Sequence, residues 1–298
     1  MPSGLYSVVV AVADLEAAVA AHARLLERPI RIEPGGHRAV VRVGNTRLEL
    51  HARHPLAGSE GRDGLERLRL ALRAEERGRF EAGLLASPTV PIELVPEPGS
   101  KFEPTARPGP EPDSEPGPEP AIGPGSSEAG AGGSGGVARP AAGIVGLDHV
   151  VIATRDPERT RAFLTDELGI RLALDRRFPE RGLRLLFFRL GGITLELAAA
   201  LAPAPEEADR DGRTGDASDA SESDSGSGDA FHGLAWQVRG LEATHARLAG
   251  AGLALSPIRP GHKPGTRVCS LRAPLCGVPT LLIEHPPRPG EGSAPERH

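Results

Sequence analysis

The chain has 298 residues, enough for about two domains, but only 39% are hydrophobic and 3% aromatic, and glycine (38) and proline (30) are in excess. A formal charge of −5 with scattered arginines offers no basic face to a nucleic acid, and two cysteines are too few for a disulfide framework or a cysteine-rich zinc site. No apolar run approaches the ~20 residues of a membrane span, so a soluble, cytoplasmic protein without membrane or nucleic-acid partners is expected.

In chain order, Gly4-Leu-Tyr-Ser-Val-Val-Val-Ala-Val-Ala-Asp opens with a strand. Its apolar run Leu5–Val12 is short, lacks a basic flank and is followed by Asp14, so no leader peptide is expected. Val43-Gly-Asn-Thr-Arg-Leu-Glu-Leu follows as a strand pair. A shorter unit over 64–95 is expected to hold strand Leu68–Leu72, a helix over Ala74–Ala86 and a strand around Ile92. Residues 97–142 are rich in Pro, Glu, Gly and Ser and read as a disordered linker.

From residue 143 the pattern is stronger. Gly146-Leu-Asp-His-Val-Val-Ile-Ala-Thr gives a strand, and Asp156 then caps a helix with Pro157 at its first position and Gly169 as its stop. Strands Leu183–Leu190 and Ile193–Ala198 follow around Gly191-Gly192. The acidic, Ser/Gly-rich stretch 203–230 reads as a solvated insertion, and 287–298 as a disordered tail. The unit then recurs: strand from Phe231, helix Leu241–Ala251, strands Arg267–Arg272 and Thr280–Glu284. Gly4 to Asp14 aligns with Gly146 to Asp156 without a gap, and Val43–Leu50 with Leu190–Leu197. Four related strand–helix–strand units, paired into two domains (1–96 and 143–286), are the expected organisation.

Polar residues recur inside these apolar strands. His149 and His232 open the first strands of the third and fourth units, and Glu196 and Glu284 sit in their last strands, 47 and 52 residues further on. A lone strand glutamate is usually solvated, and a lone strand histidine is usually structural. It is the equivalence within a repeat that points to His149, Glu196, His232 and Glu284 as ligands of one divalent ion. Two imidazoles and two carboxylates suit Zn²⁺, Ni²⁺, Fe²⁺, Mn²⁺ or Co²⁺. Arg267 and Arg272, with His262 and Lys263, precede the last strand and are candidates to hold a substrate anion. In the N-terminal half Ser7 stands where His149 does, Glu49 where Glu196 does and Glu66 where His232 does, so this domain is expected to be degenerate and without metal.

The Leu-Asp-His-Val-Val-Ile opening, the internal Leu-Glu-Leu, the Phe-His-Gly-Leu-Ala opening and the terminal Leu-Ile-Glu resemble the vicinal oxygen chelate (glyoxalase-like) superfamily over about 140 residues. The resemblance implies an α+β fold of tandem βαβββ modules, with cupped mixed sheets around a metal. It also implies a small-molecule substrate, and pairing of domains within a chain or in a homodimer. A four-ligand set resembles glyoxalase I and implies a lyase or isomerase working through an enediolate, with Glu284 or Glu196 moving the proton. An extradiol-type iron dioxygenase is the alternative, against which stands the absence of tyrosine from the C-terminal half. A non-enzymatic binder of the bleomycin-resistance kind is the third.

Overall fold

The computed structural model describes residues 2–53, 62–76, 80, 82–85, 87–97, 142–201 and 228–287. The linker expected at 97–142, the insertion at 203–230 and the tail at 287–298 lie outside the described residues apart from their ends.

Each half forms one mixed sheet. The N-terminal module runs β1 (Gly4–Val12), α1 (Leu15–Leu26), β2 (Arg31–Ile32), β3 (Arg38–Val43), β4 (Thr46–Ala52), β5 (Gly64–Leu72), β6 (Gly83–Leu84) and β7 (Ile92–Pro96). Its strand order is β2-β3-β4-β1-β5-β7-β6. The C-terminal module runs β8 (Gly143–Thr154), α2 (Pro157–Ala162), β9 (Arg171–Phe178), β10 (Leu183–Leu190), β11 (Ile193–Ala200), β12 (Ala230–Arg239), α3 (Leu241–Gly250), β13 (Arg259–Pro260), β14 (Arg267–Ser270) and β15 (Thr280–Glu284). Its order is β13-β14-β15-β12-β8-β11-β10-β9. The central four strands correspond: β4-β1-β5-β7 in one sheet, β11-β8-β12-β15 in the other. In both, the two middle strands are antiparallel and each outer one is parallel to its neighbour.

Local chemistry explains the elements. Asp14 accepts the Ala17 N–H at 2.9 Å and so starts α1, which buries Leu15, Ala18, Leu25 and Leu26. Asp156 does the same for α2, accepting from Arg159 at 3.0 Å, and Gly169 at φ 67° ends the continuation of that helix. β11 alternates: Ile193, Leu195, Leu197 and Ala199 are buried, whereas Thr194 and Glu196 face the other side and are half-buried. One apolar core includes Val8, Leu50 and Leu70 from the N-terminal module and Ile152, Leu195 and Trp236 from the C-terminal one. Each such side chain contributes about 1.5–3 kcal/mol by leaving water.

The modules also meet through their hairpin turns. Asn45, in the β3–β4 turn, accepts the Leu147 N–H and donates to the Leu147 carbonyl, both at 2.9 Å. Its neighbour Gly44 lies against the Val145 carbonyl, and Gly191, in the β10–β11 turn, lies against Gly4.

Two sequence expectations are corrected. Of the helix expected over Ala74–Ala86, the described residues show one 3₁₀ turn, Ala74–Glu76, and Gly83–Leu84 are an edge strand paired to β7. Gly83 adopts φ 142°, outside any helical region. β9 was not anticipated: it is a largely exposed edge strand, half of whose residues are charged, with little apolar alternation to mark it. Among the described residues no helix is long and apolar enough to cross a membrane.

Candidate metal centre of the C-terminal module

Three of the four expected ligands come together. His149 on β8, Glu196 on β11 and His232 on β12 line one cavity of ≈ 380 Å³. His232 is the extra residue of a β-bulge between Phe231 and Gly233 opposite β8. The rest of the wall is mainly apolar, including Val151, Leu183, Leu185, Ala198, Leu271 and Leu281, with Ser270 and Thr280 as polar additions. Among the described residues no arginine or lysine is in the lining.

The tautomer of His149 follows from its neighbours. Nδ1 lies 2.8 Å from Asp148 Oδ2, and a carboxylate can only accept, so Nδ1 carries the proton. Nε2 then presents its lone pair toward Glu196, whose Oε2 is 3.8 Å away. Asp148 is also bonded by His285 Nε2. Burial would push the Asp148 carboxyl up, but the hydrogen bonds from the two imidazoles hold it far below the ordinary range. Glu196 moves the opposite way. Burial raises it, and Asp148 adds to the rise, while His149 and His232 oppose it.

These residues fit a divalent ion in donor type. Glu196 is a half-buried carboxylate without a hydrogen-bond donor among the described residues, and the lone pair of His149 faces it. Two donors ~2.1 Å from a tetrahedral ion stand roughly 3.4 Å apart, so a side-chain rotation of a few tenths of an ångström closes the 3.8 Å gap. Among the described residues no three His, Cys, Asp or Glu side chains already stand at ligand spacing.

Glu284 is not in the group. Its carboxylate accepts the Leu241 N–H at 3.1 Å, at the start of α3, and pairs with Arg267. Strand parity is the reason: Leu281 lines the cavity, whereas Leu282 and Glu284 point to the helix side. Register shows which residue holds the matching position. Val151 pairs with Glu196 in the third unit, and its counterpart Ala235 pairs with Leu281 in the fourth. The fourth corner is therefore aliphatic. Arg267 is engaged by Glu242 and Glu284, and Arg272 donates to the Leu255 carbonyl at 3.1 Å. Neither lines the cavity, and His262 faces Arg181 instead. Asp148 was missed from sequence, where an acidic residue directly before a candidate ligand histidine was the available signal; His285 was set aside because it points to the face opposite Glu284, and that face is the one that reaches Asp148.

In the N-terminal module Ser7, Glu49 and Glu66 occupy the positions of His149, Glu196 and His232, and Glu66 is likewise the bulge residue opposite β1. Both cysteines are free; Cys269 is buried, and burial pushes both thiols up to about 11.

Comparison with known proteins agrees with this architecture. Residues 148–269 match the Glyoxalase/Bleomycin resistance protein/Dioxygenase superfamily. No curated protein sequence matches. Among solved structures, a mutant 4-hydroxymandelate synthase from Streptomyces coelicolor is 16% identical with TM-score 0.60, covering 98% of this chain and 95% of that one. The 2,2′,3-trihydroxybiphenyl 1,2-dioxygenase of Sphingomonas wittichii strain RW1 is 15% identical with TM-score 0.56, covering 95% and 91%. Methylmalonyl-CoA epimerase from Mycobacterium tuberculosis is 24% identical over 48% of this chain and 90% of its own, with TM-score 0.36. The likeness to the synthase and the dioxygenase is one of fold. The C-terminal module thus matches the Glyoxalase/Bleomycin resistance protein/Dioxygenase superfamily model over residues 148–269, and the chain as a whole shares the two-module fold of the synthase.

Proposed function

We propose that the C-terminal module binds one divalent metal ion through His149, Glu196 and His232 and acts on a small, uncharged molecule bearing two adjacent oxygens. The observation that carries this reading is the His149 Nε2 lone pair facing the Glu196 carboxylate across 3.8 Å, at the wall of a mainly apolar cavity that His232 also lines. A bound ion would polarise the two substrate oxygens as a Lewis acid and, if it is iron, would also offer a position to dioxygen. Asp148 fixes the ring of His149 and its tautomer. Leu183, Leu185, Leu271 and Leu281 exclude water and favour an apolar substrate body. The lack of a cation in the lining disfavours a phosphate or carboxylate group there.

Two histidines and one carboxylate with open positions suit non-haem iron oxygenation best. The second carboxylate on which an isomerase reading leaned, Glu284, is held by Arg267 and α3. A second reading, proton transfer through an enediolate, is favoured by Glu196, whose raised affinity for a proton suits a carrier. Metal analysis of the full chain tests the common core. His149→Ala and His232→Ala should each abolish stoichiometric binding, and Glu284→Gln should retain it. Full retention in both histidine variants, or no metal in the wild type, would leave only a binding protein. Oxygen uptake with catechols by the iron-loaded chain, set against turnover of a hemithioacetal by the nickel- or zinc-loaded chain, separates the two reactions.

A further inference from the structure

The N-terminal module carries, at the same four strands, a group of charged side chains that the reading above does not use. Register aligns them with the C-terminal site one by one. Val9 pairs with Glu49 as Val151 pairs with Glu196. Ser7 pairs with Arg69 as His149 pairs with Ala235. Arg69 pairs with Glu93 as Ala235 pairs with Leu281. The N-terminal module thus has carboxylates at both outer corners, and an arginine where the other module has alanine.

That arginine fills the space between the carboxylates. Arg69 Nη1 lies 2.7 Å from Glu49 Oε2, and its Nε lies 2.9 Å from Glu93 Oε2. Glu49 is fully buried, with His51 Nε2 at 3.2 Å and Arg38 Nε at 3.4 Å from the same oxygen. Its other oxygen, Oε1, and the buried hydroxyl of Ser7 have no hydrogen-bond partner among the described residues. A buried carboxylate with one oxygen unsatisfied, in a position matching a candidate metal ligand, is built to hold a cation.

We infer that the N-terminal module contains a second cation site, between Glu49 and Glu93, whose resident cation is the chain's own Arg69 guanidinium. Truncating Arg69 to the alanine found at the matching position of the other module leaves room for a free cation. Free guanidinium, which restores the planar donor fork, is the best fit. A divalent ion on Glu49 and Glu93 is the other source of the same charge. The inference does not depend on what the C-terminal site binds.

The test is thermal unfolding of the full chain as wild type and as Arg69→Ala, in matched ionic strength, with guanidinium chloride at low millimolar concentration, with Mn²⁺, or with neither. Arg69→Ala should melt lower, on the order of 10 °C, because it removes the cation that joins the buried Glu49 to the half-buried Glu93, leaving only the longer contacts of Arg38 and Arg67. Guanidinium should restore at least half of that loss and saturate. Equal sodium chloride or urea should not, and the wild type should gain nothing. A His149→Ala/His232→Ala background confines the Mn²⁺ arm to the N-terminal site. An Arg69→Ala chain that melts like wild type, or one that neither guanidinium nor Mn²⁺ raises, overturns the inference. Should Arg69→Ala not fold, Arg69→Lys and Arg69→Met decide it. The lysine variant should be clearly the more stable, and equal stability of the two refutes a requirement for cationic charge.

Discussion

At the scale of single residues, positions are decided by who holds the other end of a side chain. His149 presents the lone pair of Nε2 because its Nδ1–H donates to Asp148, and Asp148 is itself held by His285. Partners of this kind, one bond removed from a ligand, orient the ring and raise its basicity. Asp148→Asn should therefore weaken metal binding roughly 10- to 100-fold while every ligand stays in place. Competition with a chelator measures this, and unchanged affinity would show that Asp148 merely fills space. Glu49 gives a second residue-scale expectation. Burial alone would raise its pKa, but His51, the nearby though misaligned Ser7 hydroxyl, and the charges of Arg69 and Arg38 bring it down to about 2. Its folded pKa lies below the unfolded one near 4.3, so its contribution is complete above that value and is lost as the pH falls from there toward 2. The linkage is worth about 3 kcal/mol at most. Denaturant titrations at pH 6, 4 and 3 should show the fall, and Arg69→Ala should flatten it; an equal slope in both chains would assign the acid lability to other carboxylates.

Single elements show what a sequence reveals and what it hides. β8, β10 and β11 were legible because β-branched and apolar residues alternate along them with turn glycines between. β9 was not, since both of its faces are largely exposed and its charges mask any period. That His149, Glu196 and His232 share one cavity could be anticipated from their places in a repeat. Glu284 lies on the other face for a reason of parity: in a strand of five residues a shift of one residue exchanges the cavity face for the helix face, and spacing from a distant histidine does not resolve that. The residue at the true corner, Leu281, is aliphatic, so nothing in its chemistry marks the position. This makes a strong expectation for β15. Leu281→Glu places a second carboxylate opposite Glu196 and converts two histidines and one carboxylate into a four-ligand set. Metal should bind at least ten-fold more tightly, and oxygen-dependent turnover should fall as an open position is lost. Tighter binding without that fall would argue against oxygenation as the reaction; no gain in affinity would argue that the three ligands do not surround one ion.

For the molecule as a whole, the decisive feature is the seam between the two modules. It was only partly visible in sequence. The alignment of Gly4 with Gly146 and of Gly44 with Gly191 was plain, but not that each turn packs on the opposite module's first strand. The contacts are reciprocal: the β3–β4 turn lies on the start of β8, and the β10–β11 turn lies on the start of β1. Gly44 and Gly191 both sit at positive φ, 54° and 55°, and both meet backbone rather than flexible side chains. A Cβ at Gly44 would fall 2.0 Å from the Val145 carbonyl oxygen, and one at Gly191 2.4 Å from the Gly4 Cα. Neither neighbour can yield without moving the strand that carries Ser7 or His149. Gly44→Ala and Gly191→Ala should thus each cost about 2–4 kcal/mol, combining left-handed strain with a forced separation of strands. Because the seam joins the two sheets into one apolar core, the loss should appear as a single unfolding transition moving to lower temperature. Differential scanning calorimetry checks this directly. Two resolved transitions in the Gly44→Ala chain, with the C-terminal one unmoved, would mean that each module folds alone and that the seam only tethers them.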